Sequence, residues 1–218
     1  MLRALVDAVL RRRFAWLLAL LIAAVGVDPA LEAVGFRGRA FEWILALALG
    51  TAALGAWRAG GSRLFVLAFT AALAGGLVVH ALRVGPDASL APAVLGASAL
   101  AMSAFLLSAV LAAGRVDAER VCAALCVYLL VGIAFGGIFA ALEAVVPGSL
   151  RGSHPIRLDD ALYFSFVTLA TLGYGDVVPA SAVARPLAVL EAVFGQLYLV
   201  VLVARLVSLY SGGRDAGR

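Results

Sequence analysis

The sequence predicts an all-α membrane protein with six transmembrane helices, and three observations support this fold class. Apolar side chains make up 64% of the 218 residues, whereas a soluble domain has roughly 45–50%. Charged side chains make up only 14%, against about 25% in soluble domains. A soluble fold of this size has too little interior for so much apolar surface, and intrinsic disorder requires the opposite composition. The third observation is a series of six apolar stretches, each near the roughly 20 residues that a spanning helix needs.

The six predicted spans are separated by short connections, except for the last pair. In chain order they lie at 14–34, 41–57, 64–82, 90–114, 121–146 and 187–209. The first span is uncharged only as far as Val27, so its extension places Asp28 and Pro29 at the outer interface. The short connections make neighbours among the first five helices antiparallel. A cleaved signal peptide is the alternative for the first span, but no small-residue cleavage site followed by a polar stretch is present.

The arginines predict the orientation of the chain. All 17 basic residues are arginine, and cytoplasmic loops of membrane proteins carry the excess of basic residues. With both termini in the cytoplasm, eleven arginines lie inside and six outside. We therefore expect a multi-pass protein of the plasma membrane, the inner membrane of a bacterium, with both termini cytoplasmic. The net charge of +4 comes mostly from the chain ends and short loops, so no nucleic-acid partner is expected.

The connection between the fifth and sixth spans, 147–186, has about 40 residues and is too long for an ordinary loop. It contains an apolar stretch, 161–170, that is too short to cross a membrane. Asp159 or Asp160 can cap a helix that starts there, and a glycine-rich segment follows at 171–176. Because lipid excludes exposed irregular backbone, this arrangement predicts a re-entrant loop that lines an aqueous path walled by protein.

Residues 163–176, with the sequence YFSFVTLATLGYGD, resemble the pore helix and selectivity filter of potassium channels. The family has valine at the position of Leu172, a difference that spares the backbone. The resemblance covers about 121–209 and carries no specific information on the preceding part of the chain. It implies three regions: a four-helix transmembrane region without voltage-sensor charges at 1–120, a pore domain with outer helix, pore helix, filter and inner helix at 121–210, and a short cytoplasmic tail at 211–218.

The resemblance also implies a potassium site made of backbone carbonyls. A dehydrated cation needs oxygen ligands in place of its water shell. The carbonyl groups that would supply them belong to Thr171, Leu172, Gly173 and Tyr174, with the Thr171 hydroxyl at the inner end. Gly173 and Gly175 permit the positive φ angles that turn carbonyls inward. Tyr174 is expected to pack behind the filter and hold its diameter.

Asp176, directly after the filter, is expected to need a partner at the crowded outer mouth, because an unpaired buried carboxylate is costly. Some relatives supply an acidic residue on the pore helix, but the matching position here is Val167. Another family contact comes from an aromatic donor earlier in the pore helix, and that position here is Tyr163. The resemblance therefore predicts filter support by a hydrogen bond from Tyr163 to Asp176. The alternative is that Asp176 faces water and Tyr163 only packs.

The sixth span corresponds to the inner helix that lines the pore. Gly195 lies where the family has its hinge glycine, and either a hinge or close helix packing explains a glycine within a helix. Gln196, Leu199 and Val203 share one helix face, which by resemblance lines the cavity below the filter. Glu191 is charged within the span, which points to function. The alternative for Glu191 is an outer-leaflet residue that reaches the pore helix or the interface.

A single filter sequence per chain implies a homotetramer, because one loop cannot surround an ion. The resemblance implies passive, potassium-selective conduction, with K⁺ as the permeant ion, the lipid bilayer as surroundings and no cofactor. Strong voltage gating is not expected, because the fourth span has no Arg or Lys. Two alternatives stay open: a weakly selective cation channel and a non-conducting membrane scaffold subunit. An enzyme is not expected, since the sequence has no catalytic motif.

Two smaller features carry alternatives of their own. Cys122 and Cys126 share one helix face, and we interpret them as packing residues rather than a metal or redox pair, because no His or third Cys accompanies them. His154, near the expected pore entrance, is interpreted as a solvated loop residue, with a pH sensor as the alternative.

Overall fold

The computed structural model describes residues 12–33, 45, 47, 48, 50, 90–111 and 118–215 of the chain. The predicted third span, at 64–82, lies outside the described residues, as does the second span at 41–57 apart from four positions. The part of the chain that is described is mostly helical.

Five helices and two short strands make up the described part of the chain. The helices are α1 Arg13–Ala33, α2 Leu90–Leu111, α3 Ala118–Val145, α4 Leu158–Leu169 and α5 Ala184–Asp215, and the strands are β1 Leu150–Arg151 and β2 Val178–Pro179. Four of the helices coincide with the first, fourth, fifth and sixth predicted spans, because long apolar runs favour helices in a membrane. The short helix α4 falls within the long connection, and α5 runs on into the predicted tail as far as Asp215.

Two helices in the described residues are long and apolar enough to cross a membrane. They are Ala118–Val145, the whole of α3, and Ala184–Arg205, the greater part of α5. Shorter apolar helical stretches occupy Arg13–Gly26 and Pro92–Ser108. The sequence of α2 carries no charged side chain.

The chain divides into two compact units, which do not follow one another along the sequence. Of the described residues, the first unit holds 12–50, 101–111 and 118–130, and the second unit holds 90–100 and 131–215. The predicted division at residue 120 follows the resemblance to a pore domain rather than compactness, and it stays a prediction.

In the first unit, the start of α1 is bonded to the start of α3. The N–H group of Phe14 lacks a partner within its own helix, as all N–H groups of a first turn do, and it donates to the Glu119 carboxylate at 3.0 Å. A negative charge at this end of a helix is favourable. The buried Cys126 thiol donates to the Phe14 carbonyl at 3.6 Å, and Cys122 is half-buried. Both cysteines are therefore free thiols, and Cys126 packs against α1.

The second unit is built around Phe139 of α3. Its ring meets the ring of Phe164 on α4 edge to face, with 4.9 Å between the ring centres and 74° between the planes. Buried small and apolar residues surround this pair: Ala140, Leu150, Ala161, Ala184 and Ala188. They come from α3, β1, α4 and α5, so this core joins the helix that precedes residues 170–177 to the elements around it.

Helix α4 lies very close to α3 because α3 presents glycine at two positions four residues apart. A Cβ atom at Gly132 would lie 2.6 Å from the Phe166 ring, and one at Gly136 would lie 2.6 Å from the Leu162 side chain. Residues at this spacing share a helix face, and small residues at this spacing let membrane helices approach closely. Any larger side chain on this face would push α4 away from α3.

A two-stranded antiparallel pair connects the ends of the long helices. In its register Leu150 lies opposite Pro179, and Arg151 lies opposite Val178. The turn before β1 is fixed by Glu143, whose carboxylate accepts hydrogen bonds from the N–H groups of Gly148 at 2.8 Å and Leu150 at 2.9 Å. The chain therefore leaves α3 along a defined path toward α4.

The start of α4 differs in one detail from the sequence expectation. The N-cap residue is Arg157, and Asp159 and Asp160 lie inside the first turn. The Asp160 carboxylate accepts a hydrogen bond from the Arg157 N–H at 2.8 Å, and the Asp159 carboxylate pairs with the Arg157 guanidinium at 3.3 Å. The acidic side chains thus stabilise the helix N-terminus, as charge there should, but from within the helix.

Candidate functional site

The segment 170–176 follows directly from the C-terminal end of α4. The last turn of the helix tightens, because the Ala170 N–H donates to the Phe166 carbonyl and the Thr171 N–H donates to the Thr168 carbonyl, both at 3.0 Å. The Leu172 N–H reaches back to the Val167 carbonyl at 2.8 Å. The C-terminal end of a helix carries a partial negative charge, so the electrostatic surroundings of Thr171 favour a cation.

The backbone of this segment alternates in handedness. Among the described residues of the segment, φ is positive at Thr171 (57°), Gly173 (59°) and Gly175 (81°), and the residues between them have ordinary negative values. A chain that alternates in this way turns successive carbonyl oxygens toward the same side. A row of carbonyl oxygens facing one side is a set of ligands for a dehydrated cation.

Glycine at 173 and 175 is required by the backbone angle and not by space. A Cβ atom at Gly173 or Gly175 would meet nothing within 4 Å. The positive φ, however, costs a residue with a side chain roughly 1–2 kcal/mol. These two positions are the ones at which the sequence predicted positive φ.

Thr171 also has a positive φ, which the sequence did not predict. A positive φ is a genuine outlier for a β-branched residue, and strain of this kind persists where surrounding structure imposes it, often at functional sites. The two hydrogen bonds from the Thr171 and Leu172 N–H groups to α4 hold the strained residue in place. The signal was present only as a spacing of two residues from Thr171 to Gly173 and again from Gly173 to Gly175.

Behind the segment, Tyr163 and Asp176 form the predicted hydrogen bond. The Tyr163 hydroxyl donates to the Asp176 carboxylate at 2.8 Å, and the second carboxylate oxygen accepts from the Val177 N–H at 3.0 Å. The hydrogen bond from Tyr163 lowers the pKa of Asp176, and the same bond raises the pKa of the Tyr163 hydroxyl. Asp176 is therefore a charged group whose oxygens are held in a fixed orientation directly after residues 171–175, the filter segment.

The side chains of the segment itself are uncovered in a single chain. Leu172 is 55% exposed and Tyr174 is 67% exposed. Large apolar side chains of α5 that face away from α4 are exposed as well, among them Val189, Leu190 and Val193. A single chain thus leaves exposed both the segment with its row of carbonyl oxygens and this apolar surface of α5.

Helix α5 touches the end of α4 at Gly195. A Cβ atom there would lie 2.7 Å from the Leu169 carbonyl oxygen and 2.8 Å from its Cδ1 atom. The absence of a side chain therefore lets the two helices meet one residue before the C-cap Ala170. Helix α5 is continuous through Gly195, and a hinge role of this residue stays a prediction.

The three predicted cavity residues lie further along α5. Gln196 and Val203 are exposed, and Leu199 is half-buried. Their assignment to a cavity stays a prediction, because it concerns surfaces that several chains would enclose together.

Glu191 reaches α4, which is one of the two alternatives that the sequence left open for it. It is fully buried, and its carboxyl group is in hydrogen-bond contact with the Ser165 hydroxyl. Ser165 was not predicted as a functional residue. The signal that could have found it is a serine in the apolar run of α4 together with a charged residue in the apolar run of α5.

The pore-loop geometry agrees with a comparison to known protein families, in which this part of the chain resembles an ion channel. Residues 127–211 match the family model described as ion channel, and these residues include most of α3, all of α4 and the filter segment, and α5 as far as 211. Through this region the chain is similar to potassium channels.

Three relatives illustrate the similarity. Two pore potassium channel c of Oryza sativa subsp. japonica is 37% identical over 84 residues, which are 38% of this chain and 17% of that protein. Protein LctB of Geobacillus stearothermophilus is 41% identical over 61 residues, 28% of this chain and 45% of that protein. Inward rectifier potassium channel Kirbac3.1 of Paramagnetospirillum magnetotacticum is 36% identical over 74 residues, 34% of this chain and 24% of that protein. The chain thus covers less than half the length of each of these relatives. No solved structure gives a significant match.

Proposed function

We propose that this protein is a potassium-selective channel that conducts K⁺ passively through a filter of backbone carbonyls contributed by four identical chains. The observation that carries the proposal is the alternation of positive φ at Thr171, Gly173 and Gly175, directly after the negative end of α4. This geometry suits a cation that gives up its water shell. Potassium is the ion named for two of the relatives that this region resembles, the Oryza sativa and Paramagnetospirillum magnetotacticum channels.

The membrane arrangement follows from the same assignment. Six helices cross the bilayer, α3 is the outer helix, α4 is a re-entrant pore helix, and α5 is the inner helix. Gln196, Leu199 and Val203 line the cavity below the filter, and Gly195 is the hinge. Both termini lie in the cytoplasm, and the membrane is the plasma membrane, the inner membrane of a bacterium. The short length of α4, at 12 residues, supports a re-entrant course because a spanning helix needs about 20.

The homotetramer is supported by what one chain leaves uncovered. Leu172 and Tyr174 are exposed and lie on irregular backbone, which cannot face lipid and therefore needs walls of protein. The exposed apolar face of α5 can supply such walls to neighbouring chains. Four copies around a cyclic axis bury these surfaces and close the ring of carbonyls. In that assembly Tyr174 packs behind the filter.

Strong voltage gating is not part of the proposal. A voltage sensor requires charges within the membrane field, and the described helix α2 has none. The permeant ion is the only small species that the mechanism uses, and no cofactor is needed for passive conduction.

Reconstitution of the purified protein into liposomes tests the proposal. With a potassium gradient across the membrane, we expect potassium flux that empty liposomes prepared in the same way do not show. Reversal potentials in planar bilayers, with potassium on one side and sodium on the other, then measure selectivity. Equal permeability to the two ions would indicate a weakly selective cation channel. A protein that stays tetrameric without any ion flux would indicate a scaffold subunit and overturn the proposal.

A further inference from the structure

One buried carboxyl group takes no part in the proposed conduction mechanism. Glu191 of α5 is 0% exposed, and one of its oxygens contacts the hydroxyl of Ser165 on α4, which is also 0% exposed. The second oxygen, Oε2, has no hydrogen-bond partner in the described residues. A buried carboxylate with one oxygen unbonded is costly, so the protonation state of Glu191 needs an explanation.

The number of protons available in this cluster decides that state. The Ser165 hydroxyl lies 2.7 Å from the Gly132 carbonyl oxygen of α3, in addition to its contact with Glu191. A hydroxyl group has one proton. If Glu191 were a carboxylate, Ser165 could donate its proton either to Glu191 or to the Gly132 carbonyl. The contact left without that proton would bring two oxygen atoms together with no hydrogen between them.

A protonated Glu191 satisfies both contacts. Its carboxylic acid donates to the Ser165 hydroxyl oxygen, and the Ser165 hydroxyl donates to the Gly132 carbonyl. The oxygen left without a partner is then a neutral carbonyl oxygen, which is much less costly to bury than a charge. The three groups form a continuous chain of hydrogen bonds across α5, α4 and α3.

In the described residues Glu191 forms no ion pair, and its one polar contact is the Ser165 hydroxyl. On the same helices, Tyr163 bonds to Asp176, Asp160 bonds to the Arg157 backbone, and Glu143 bonds to the backbone after α3. A charge on Glu191 would therefore have no ion-pair partner among the described residues.

The cluster is one end of a seam between α4 and α5. Ser165 and Leu169 are one turn apart on α4, and their contacts on α5, Glu191 and Gly195, are also one turn apart. The second contact, between Leu169 and Gly195, lies two residues before Thr171, where the backbone is strained. The register in which α4 packs on α5 therefore sets the position at which the filter segment begins.

We propose that Glu191 is a positioning residue that acts as a neutral carboxylic acid: through Ser165 it holds the inner helix against the pore helix and keeps the filter in its conducting geometry. The functional half of this inference rests on the proposed channel function, whereas the chemical half, the protonated acid, does not. Two experiments separate the halves.

The chemical half is tested by infrared difference spectroscopy on the full-length protein in liposomes. The spectrum of the wild type minus that of Glu191→Gln should contain the C=O stretching band of a protonated carboxylic acid at neutral pH. Bands of a carboxylate in this difference spectrum would overturn the inference. The measurement needs no ion flux, so its outcome is independent of whether the protein conducts.

The functional half is tested by potassium flux from two matched pairs of variants. Glu191→Gln keeps a neutral donor and should retain the wild-type flux within about twofold, whereas Glu191→Leu removes the donor. Ser165→Ala leaves the buried acid without a partner, and we expect the flux to fall at least about tenfold. Ser98→Ala is its control, because the Ser98 hydroxyl is also buried but bonds only within its own helix, to Val94 at 2.7 Å.

Each outcome of the flux measurement has a meaning. Loss of flux in Glu191→Gln, in a protein that is still tetrameric by size-exclusion chromatography, would show that the charge is needed and would overturn the inference. Wild-type flux in both Glu191→Leu and Ser165→Ala would overturn the positioning role. If the wild type itself conducts no potassium, the proposed function fails, and the infrared result still decides the state of Glu191.

Discussion

The filter segment and the seam behind it are built on opposite principles, although they lie only a few residues apart. At 171–175 the backbone is strained, the side chains are exposed, and a Cβ atom on either glycine would meet nothing. Along the α4–α5 seam the backbone is regular helix, the side chains are buried, and contacts are so close that Gly195 admits no side chain. In the proposed channel, the filter segment supplies the ligands of the ion, and the seam fixes the positions of these ligands.

This comparison predicts the largest effect at the filter glycines. Replacing Gly173 or Gly175 by alanine places a side chain where φ is 59° or 81°, at a cost of roughly 1–2 kcal/mol in each chain. The backbone can relieve this strain by rotating a carbonyl out of the row, so we expect both variants to assemble but to lose potassium conduction. Flux from liposomes measures the loss, and size-exclusion chromatography measures assembly.

Gly148 provides the matched control for the filter glycines. It has a φ of 84°, and a Cβ atom there would also meet nothing within 4 Å, but it lies in the turn after α3. Gly148→Ala therefore carries the same backbone strain without touching a carbonyl of the filter. Normal conduction in Gly173→Ala, or equal losses in all three variants, would break the distinction between the segment and its surroundings.

At its Gly195 end, the seam should respond to substitution with a loss of stability. Gly195→Ala places a Cβ atom 2.7 Å from a backbone oxygen of α4, and overpacking of this kind costs about 1–3 kcal/mol. The gain in helix propensity from glycine to alanine offsets only about 1 kcal/mol. We expect the thermal unfolding midpoint of the detergent-solubilised protein to fall.

The control for Gly195 is a helical glycine with open space. A Cβ atom at Gly26 of α1 would meet nothing within 4 Å, so Gly26→Ala should leave the midpoint unchanged or raise it. A raised midpoint in Gly195→Ala, together with altered opening and closing, would favour the hinge over close packing. The clash involves both the backbone oxygen and the Cδ1 atom of Leu169. The additional change Leu169→Ala removes only the side-chain clash, so it should not restore stability fully.

The parts of the fold that the sequence predicted are those fixed by local chemistry. Long apolar runs set the positions of α1, α2, α3 and α5 to within a few residues. The resemblance located α4, the filter segment and the Tyr163–Asp176 bond, whose partners are only 13 residues apart. The acidic residues of α4 were predicted at the correct end of the helix, but the cap itself is Arg157.

The parts that could not be predicted depend on contacts between distant residues. Ser165 meets Gly132 across 33 residues and Glu191 across 26 residues, and no helical or strand period relates these positions. Thr171 is a second case, since its residue type argues against a positive φ. Its angle is imposed by the hydrogen bonds to the end of α4 and by the alternation that continues through Gly173 and Gly175.

The smallest effect is expected at the outer edge of the filter, where Tyr163 and Asp176 are exposed enough for water to replace part of their interaction. Tyr163→Phe removes the hydrogen bond but no carbonyl ligand, so selectivity should stay unchanged while the filter stays conductive for a shorter time. The open lifetime in single-channel recordings at neutral pH measures this change. An unchanged lifetime would show that the bond has no part in holding the filter.

The pH dependence of that lifetime sharpens the same comparison. The Tyr163 hydroxyl lowers the pKa of Asp176, so the bond to the carboxylate is fully present above the ordinary pKa of an aspartate and is lost as the external pH falls through the lowered value. Without the hydroxyl, the pKa of Asp176 rises toward its ordinary value, and Asp176 takes up its proton at a higher pH. The acid midpoint of the open lifetime should therefore move to higher pH in Tyr163→Phe and disappear in Asp176→Asn, which has no proton to gain there. An acid midpoint that is the same in all three proteins would assign the pH response to another group, and Asp176 would then act only through its backbone.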